Sequence, residues 1–471
     1  MSIRIASSGG LRAFPGAEGF GALNTCGGRY GVVCKVTNTG RSGPGSLQAC
    51  MDIQRPAYIV FTVGGVFQHG SIECHYGSKT IAGQTAPTPV IIRGFELDDV
   101  YEANPGCSNI IMRHLRSRPA AAELASSGWI SSDAIRLDGV RNIVIDHLSF
   151  ARASDEAFQL SRSNNITIQN SVMSETFSDH YWRGMLMNYS TTAHDQNDIS
   201  IHHNMRSGIQ ARFPEISCEE NSDDIMGTSN CTNKRMRLEL SNNFIFDPTD
   251  PIYYNRCTST NAGNYCVPSA PSFFVNINWV GNYMIDRNEN EMMLPALSDD
   301  SRNNIYYDDN VLDIGGPQEF SLAYPSISGR LDYPTIAYTS ASDLADYMIA
   351  TVGAFPRDTM DQRIVGYLRQ NMTSVPPNTG AVVNGQTRNV RDTFAPLAPS
   401  CASPLSAASD TDDDGMPDSW ERRNGLRVGI ADHNGVNLSA AGYRNIEVYL
   451  NELSDRVIAA GASTGAGCDD L

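Results

Sequence analysis

Charged residues are scarce in this chain of 471 residues, at 18%. It contains no run of 18 apolar residues, which excludes a membrane-spanning helix. The eleven cysteines include no Cys-x-x-Cys pair, so neither a zinc knuckle nor a dithiol redox motif is expected. Basic charge is not in excess either. The formal net charge is −17, which argues against a nucleic-acid partner. The opening segment MSIRIASSGG lacks the apolar core of an export signal, and residues 1–12 read as the remnant of a removed signal or an expression tag. Glycine and proline are plentiful instead, at 40 and 23 residues, the composition of a turn-rich extracellular β-protein. The cysteine count fits an oxidising compartment. Cys26/Cys34, Cys218/Cys231 and Cys257/Cys266 lie close enough in sequence to bridge loops, and the odd total leaves at least one thiol unpaired.

A short phrase recurs along the chain. It reads NIIMRH, NIVIDH, NITIQN and DISIHHN, then RLELSNN, VNINWVGN and NIYYDDN. With Ile110, Ile143, Ile166, Ile199, Leu238, Ile277 and Ile305 taken as equivalent, the gaps are 33, 23, 33, 39, 39 and 28 residues. Apolar residues alternate within each phrase, so one face points into a core and the other outward. Short strands at quasi-regular spacing with uneven insertions read as a β-solenoid, here a parallel β-helix. Asn204, Asn243, Asn282 and Asn310 each fall five residues after a reference position. Asparagine tolerates tight turns and bonds to its own kind, so a stacked ladder is expected.

Several ordered segments resemble polysaccharide lyase family one, the pectate lyases and their relatives. They are FPGAEGFGA, GGRYGVVCKVTNTGRSGPGSLQAC, TIAGQTAP, SDAIRLDGVRNIVIDHLSFARASDEAFQL, and HHN followed by ARFP. The resemblance spans roughly residues 13 to 320. It implies an all-β, right-handed parallel β-helix with a cleft along one sheet, where Ca2+ bridges the protein and a uronate carboxylate. Carried over position by position, it implies metal ligands at Asp133 and Asp155. The family's third carboxylate falls on Gln159, a weaker ligand for a hard cation, with Glu156 placed to compensate. His147 is expected to be a structural coil residue.

Arg212, in ARFP, matches the family's catalytic arginine. In β-elimination of a uronate the C5 proton leaves while charge builds on the carboxylate, and Ca2+ together with an arginine serves that chemistry. Arginine side chains lose a proton only above about pH 12, so the resemblance implies an alkaline optimum or a partly desolvated guanidinium. The family's second arginine falls on Ser217, with Glu215 nearer still. Its carboxylate-gripping lysine is missing from SETFSDHYWRGMLM. Arg183 is the candidate replacement, with Trp182 and Tyr181 to pack on sugar faces.

A second calcium signal lies near the C-terminus. Residues 410–421, DTDDDGMPDSWE, fit the pattern D-x-[DN]-x-[DN]-G-x5-E at every fixed position. Asp410, Asp412, Asp414, Asp418 and Glu421 are the candidate ligands of a structural Ca2+, and Gly415 permits the sharp turn. The organisation expected is a β-helix over 13–370, a Pro/Thr/Ser-rich linker or wrapping segment over 371–409, and the calcium loop with a helical cap over 410–471. The chemistry points to a secreted, monomeric lyase acting on an acidic, pectate-like polysaccharide, with no nucleic-acid or membrane partner. The alternatives are a lyase on another uronic-acid glycan, a β-helical pectin hydrolase needing paired carboxylates, or a non-catalytic glycan-binding β-helix.

Overall fold

The computed structural model describes residues 10–67, 71–98, 106–119, 133–153, 155–176, 184–191, 194–209, 212–216, 234–246, 253–254, 274–285, 303–313, 317–319, 327–370, 382–383, 386–387 and 409–462. Three sheets of ten, seven and ten strands wind around one apolar core. One coil illustrates the path. Phe158–Ser161 lies in the seven-stranded sheet, Asn164–Gln169 in the first ten-stranded sheet and Val172–Ser174 in the second, before Met185–Asn188 opens the next coil. Each strand pairs in parallel with its counterpart one coil on, except for antiparallel Pro317–Glu319 and a separate two-stranded hairpin. Parallel crossovers follow the right-handed rule, so the architecture is a right-handed parallel β-helix.

The repeat equivalence holds residue for residue. Ile110, Ile143, Ile166, Ile199, Leu238, Ile277 and Ile305 are paired in register along the first ten-stranded sheet. The asparagine ladder is present too. Asn204 Nδ2 donates to Asn243 Oδ1 at 3.2 Å, Asn243 to Asn282 at 3.1 Å and Asn282 to Asn310 at 2.8 Å. The tight turn itself belongs to the preceding residue, since His203 (φ 55°), Asn242 (52°), Gly281 (67°) and Asp309 (47°) occupy the left-handed region. A second left-handed corner explains the recurring Asn-Ile phrase: Asn109, Asn142, Asn165 and Asp198 have φ between 55° and 62°. Asn and Asp tolerate that conformation better than other side chains with a Cβ.

Three additions fasten the coil. Residues 13–28 run along the outer face of the first ten-stranded sheet. There Gly21 N donates to Thr167 Oγ1 (3.0 Å) and Phe20 N to Ser200 Oγ (3.1 Å). A Cβ on Gly21 would stand 2.5 Å from the Ile143 carbonyl oxygen, which explains glycine there. The helix Leu47–Met51, capped by Ser46, plugs the N-terminal end and contributes Leu47, Cys50 and Met51 to the core. The last parallel strand ends at Asp313; downstream, Leu344–Thr351 and Thr359–Arg369 are helices packed on Phe244, Phe246 and Val172. Buried Arg116 and Arg118 pair with Asp358 and Asp361 to hold the second helix.

The expected Cys26/Cys34 bridge is not formed. Cys34 bonds to Cys50, joining the first strand to the cap helix, and Cys74 bonds to Cys107, while Cys26 is an exposed free thiol. Cys34 packs against the core and so meets the cap, whereas Cys26 lies in the outer strap. The other two expected pairs lie outside the described residues. No helix among the described residues is long and apolar enough to cross a membrane.

Candidate active site

The seven-stranded sheet buries Ile135, Leu137, Phe158, Leu160, Met185 and Met187. Strict alternation then turns Arg136, Gln159, Leu186 and Glu215 outward in one row, in register on successive coils. Asp133 and Glu156 take matching places two residues before their strands, and Glu156 N donates to Asp133 Oδ1 at 3.0 Å. Carboxylate oxygens of Asp133, Asp155 and Glu156 all lie within 4.8 Å of one another. Burial, then the charge of Asp155, pushes Asp133 up to about 6. Burial and the charges of Asp133 and Asp155 hold Glu156 well above its ordinary value, against the pull of Arg212. Crowded, buried carboxyl groups raise one another's proton affinity in this way.

Arg212 closes the site. Its Nη1 contacts Glu156 Oε1, and its Nε lies 2.5 Å from Glu215 Oε2. Both acids are buried, while the guanidinium side chain keeps 19% of its surface exposed. The backbone at Arg212 is left-handed, with φ 68°. A non-glycine residue held there costs on the order of 1–3 kcal/mol, a cost concentrated at functional sites. Arg212 O accepts from Met185 N at 2.5 Å, tying the arginine to the adjoining strand.

Of the remaining expected site residues, Gln159 is buried in the outward row and donates Nε2 to Ser161 Oγ at 3.2 Å. Arg183, Trp182, Tyr181 and Ser217 lie outside the described residues. His147 sits buried at a left-handed corner, stacked on His114 at 5.0 Å. Arg136 was not singled out from the sequence. It flanks Gln159 in register and its charge draws Asp133 down; its Nη2 donates to Asp138 Oδ2 at 3.0 Å. The alternation in Ile135-Arg136-Leu137 was the signal that could have found it. Lysine cannot supply the missing cation among the three present. Lys35 pairs with Asp410 and Asp413, Lys79 is buried on three carbonyl oxygens, and Lys234 pairs with Asp195.

In the C-terminal loop, Asp410, Asp412 and Asp414 come together as expected, and Glu421 joins Asp414. Asp418 departs from expectation. Its carboxylate accepts from Thr411 N and Thr411 Oγ1 (both 2.8 Å) and from Ser409 Oγ (2.8 Å), so it braces the loop from outside. Asp432, overlooked in the sequence, completes a group with Asp414 and Glu421. It follows the motif by eleven residues beyond Glu421, too far for the loop pattern to include it.

Fold and site together define a parallel β-helix protein with an arginine set against an acidic cluster at the edge of one sheet. No family model matches the chain. Over 461 residues it is 27% identical to a probable pectate lyase C of Aspergillus fumigatus, covering 94% of each chain. It is 28% identical to a probable pectate lyase C of Emericella nidulans, covering 95% of this chain and 94% of that one. The solved structure of the thermostable pectate lyase PL 47 superposes with a TM-score of 0.50 at 14% identity, covering 74% of this chain and 99% of that one, and supports the fold. The chain is thus similar over nearly its whole length to proteins named probable pectate lyase C.

Proposed function

We propose that this protein is a secreted polysaccharide lyase that cleaves a pectate-like uronate polymer by calcium-assisted β-elimination, with Arg212 as the base. The observation that carries this reading is Arg212 held between Glu156 and Glu215 beside the Asp133–Asp155–Glu156 cluster. The names of the relatives supply the substrate class. The two disulfides suit an extracellular setting.

The donor set fits Ca2+. Three carboxylates converge, and their oxygens are hard ligands. Asp133, Asp155 and Glu156 would hold the ion, with Gln159 on the strand that follows Glu156, and a Ca2+ there would supply positive charge to offset the substrate carboxylate and acidify the C5 proton. Glu156 and Glu215 orient the side chain of Arg212, so that it meets the C5 proton without a long side chain having to be ordered in the transition state, and the transfer requires the neutral arginine that alkaline conditions favour. The C5–H electrons form the C4–C5 double bond as the C4–O bond breaks, leaving an unsaturated uronate on one product, while the departing oxygen takes a proton from water and becomes a hydroxyl on the other. Arg136, next to Gln159, is placed to draw in a uronate carboxylate despite the net charge of −17. The test is ultraviolet absorbance of unsaturated product from polygalacturonate. Reducing ends without absorbance would instead indicate hydrolysis, and an inert protein a binding module.

A further inference from the structure

The C-terminal lobe holds a second concentration of acid groups, remote from the cleft in sequence and built differently. Oxygens of Asp410, Asp412 and Asp414 lie within 4.8 Å of one another, as do those of Asp414, Glu421 and Asp432. Asp414 belongs to both groups. Glu421 is fully buried, and neither of its carboxylate oxygens has a hydrogen-bond partner among the described residues. Both oxygens of Asp412 are buried and unpartnered as well. The other acids here are accounted for. Asp410 accepts from Asp414 N and Gly415 N and pairs with Lys35; Asp414 accepts from Met416 N and, at 3.1 Å, from Asp432 N. Buried carboxylate oxygens are otherwise satisfied almost without exception, and removing a charge from water without a partner is costly. Glu421 and Asp412 therefore point at a ligand.

We propose that the lobe binds a Ca2+ ion through two loops, with Asp412, Asp414 and Glu421 from the first and Asp432 from the second, while Asp418 is a brace and not a ligand. All four donors are carboxylates, Glu421 from the short helix Asp418–Arg423 and the others from the loops beside it, a hard-oxygen set that suits Ca2+ better than the smaller and geometrically stricter Mg2+. The site does not depend on the lyase reading. Its position gives it a purpose. Met416, inside the first loop, packs in one apolar cluster with Tyr58, Val60 and Ala82 of the β-helix and with Trp420, Ile446, Tyr449 and Leu450 of the lobe. Arg29 of the outer strap pairs with Glu447 at 2.8 Å, at the start of the helix Asn445–Ala462. An ion drawing the two loops together clips this lobe over the outer face of the first coils. Without it, the carboxylates repel one another and the lobe loosens.

The test uses the full chain carrying Asp133→Asn and Asp155→Asn, which removes cleft binding. Titration calorimetry should find one remaining Ca2+ site, and Ca2+ should protect residues 409–462 from trypsin. Added to that background, Glu421→Gln and Asp432→Asn should each weaken binding by at least about tenfold, whereas Asp418→Asn should change it by less than about threefold. No remaining site, or an Asp432→Asn variant that binds unchanged, overturns the proposal. So does an Asp418→Asn variant as weak as Asp432→Asn. A second measurement avoids any folding defect in those variants. Terbium, standing in for Ca2+ on the Asp133→Asn, Asp155→Asn protein with the lobe unaltered, should give tryptophan-sensitised emission that Trp420→Phe largely removes. Emission that is absent, or indifferent to Trp420, overturns it as well.

Discussion

Replacing Arg212 by lysine is the sharpest perturbation of the proposed chemistry. Lysine keeps the positive charge and occupies a left-handed backbone position about as readily as arginine, so the φ of 68° is no worse served. What disappears is the planar fork. Arg212 engages Glu156 through Nη1 and Glu215 through Nε, and a single ammonium on a flexible stem cannot hold both in that geometry. Losing one charge-assisted hydrogen bond costs about 1.5–3 kcal/mol, and misplacing the group that meets the C5 proton adds to that in the transition state only. A fall in kcat of roughly 10²–10³, on the order of 3–4 kcal/mol, is expected by comparison with removing one positioned transition-state group. KM should change far less, and the circular dichroism spectrum and melting temperature should stay close to those of the parent. The assay is initial-rate absorbance of unsaturated product at alkaline pH. If the lysine variant keeps more than about a tenth of the parent rate, a barrier change under ~1.4 kcal/mol, Arg212 is not the base.

Chelation should abolish turnover and added Ca2+ should restore it, with Asp155→Ala raising the Ca2+ concentration needed for half-maximal rate; full activity in excess chelator would refute metal assistance. Asn243→Ala removes an acceptor for Asn204 N and Nδ2 and a donor to the Ile201 carbonyl and Asn282. Leaving such groups buried and unpaired should cost about 3–5 kcal/mol in urea unfolding, and a loss below about 1 kcal/mol would show that the ladder is decorative. The histidine corners predict acid lability. Burial lowers His203 to about 4 and His114 and His202 well below the usual value near 6.5. Between the folded and unfolded values the unfolded chain binds more protons, so this stability is full above about pH 6.5 and is lost as pH falls toward 4. For His203 alone the loss is about 3 kcal/mol at pH 4. His203→Asn, which suits the left-handed corner, should flatten the pH dependence of unfolding across that window; an unchanged slope would be evidence against it.

The features legible in the sequence were those set by local periodicity. Alternation around Ile143, Ile166 and Ile199 fixes which face is buried, and a one-residue slip would turn every core side chain outward, so the register follows from the pattern alone. The ladder was legible because one residue type recurs at one phase. Asp133, Asp155 and Arg212 were singled out by the resemblance to the pectate lyase family, with Glu156 beside Asp155, and not by periodicity. Other features required knowing which segments lie side by side. Cys34 meets Cys50 because a short helix plugs the coil end, and nothing in the spacing favours that partner over Cys26. Asp432 reaches Glu421 only because the lobe folds back on itself. Asp418 matched its pattern position, yet Ser409 and Thr411 capture its carboxylate first. The pattern records which residues could be ligands, and local competition for hydrogen bonds decides which remain available.

The same periodicity that builds the core also assembles the cleft. Ile135 pairs with Phe158, Phe158 with Met185, and Leu186 with Glu215. Asp133 and Glu156 lie two residues before their strands on adjacent coils, and Arg212 lies three residues before Glu215, two coils beyond Glu156. At the usual spacing of about 4.8 Å per strand, Arg212 and Glu156 have backbones roughly 10 Å apart. Their contact is therefore made by two long side chains extended toward each other, not by neighbouring backbone. This makes the site intolerant of a change in register. Glu215–Ile216 pairs with Leu186–Met187, which holds the end of the segment carrying Arg212 against the adjoining coil. One residue added inside 212–215 would change the Arg212–Glu215 spacing and pull the guanidinium away from its two acids. Strand pairing thus positions the chemistry, and the interval from Arg212 to Glu215 sets whether the guanidinium reaches both acids.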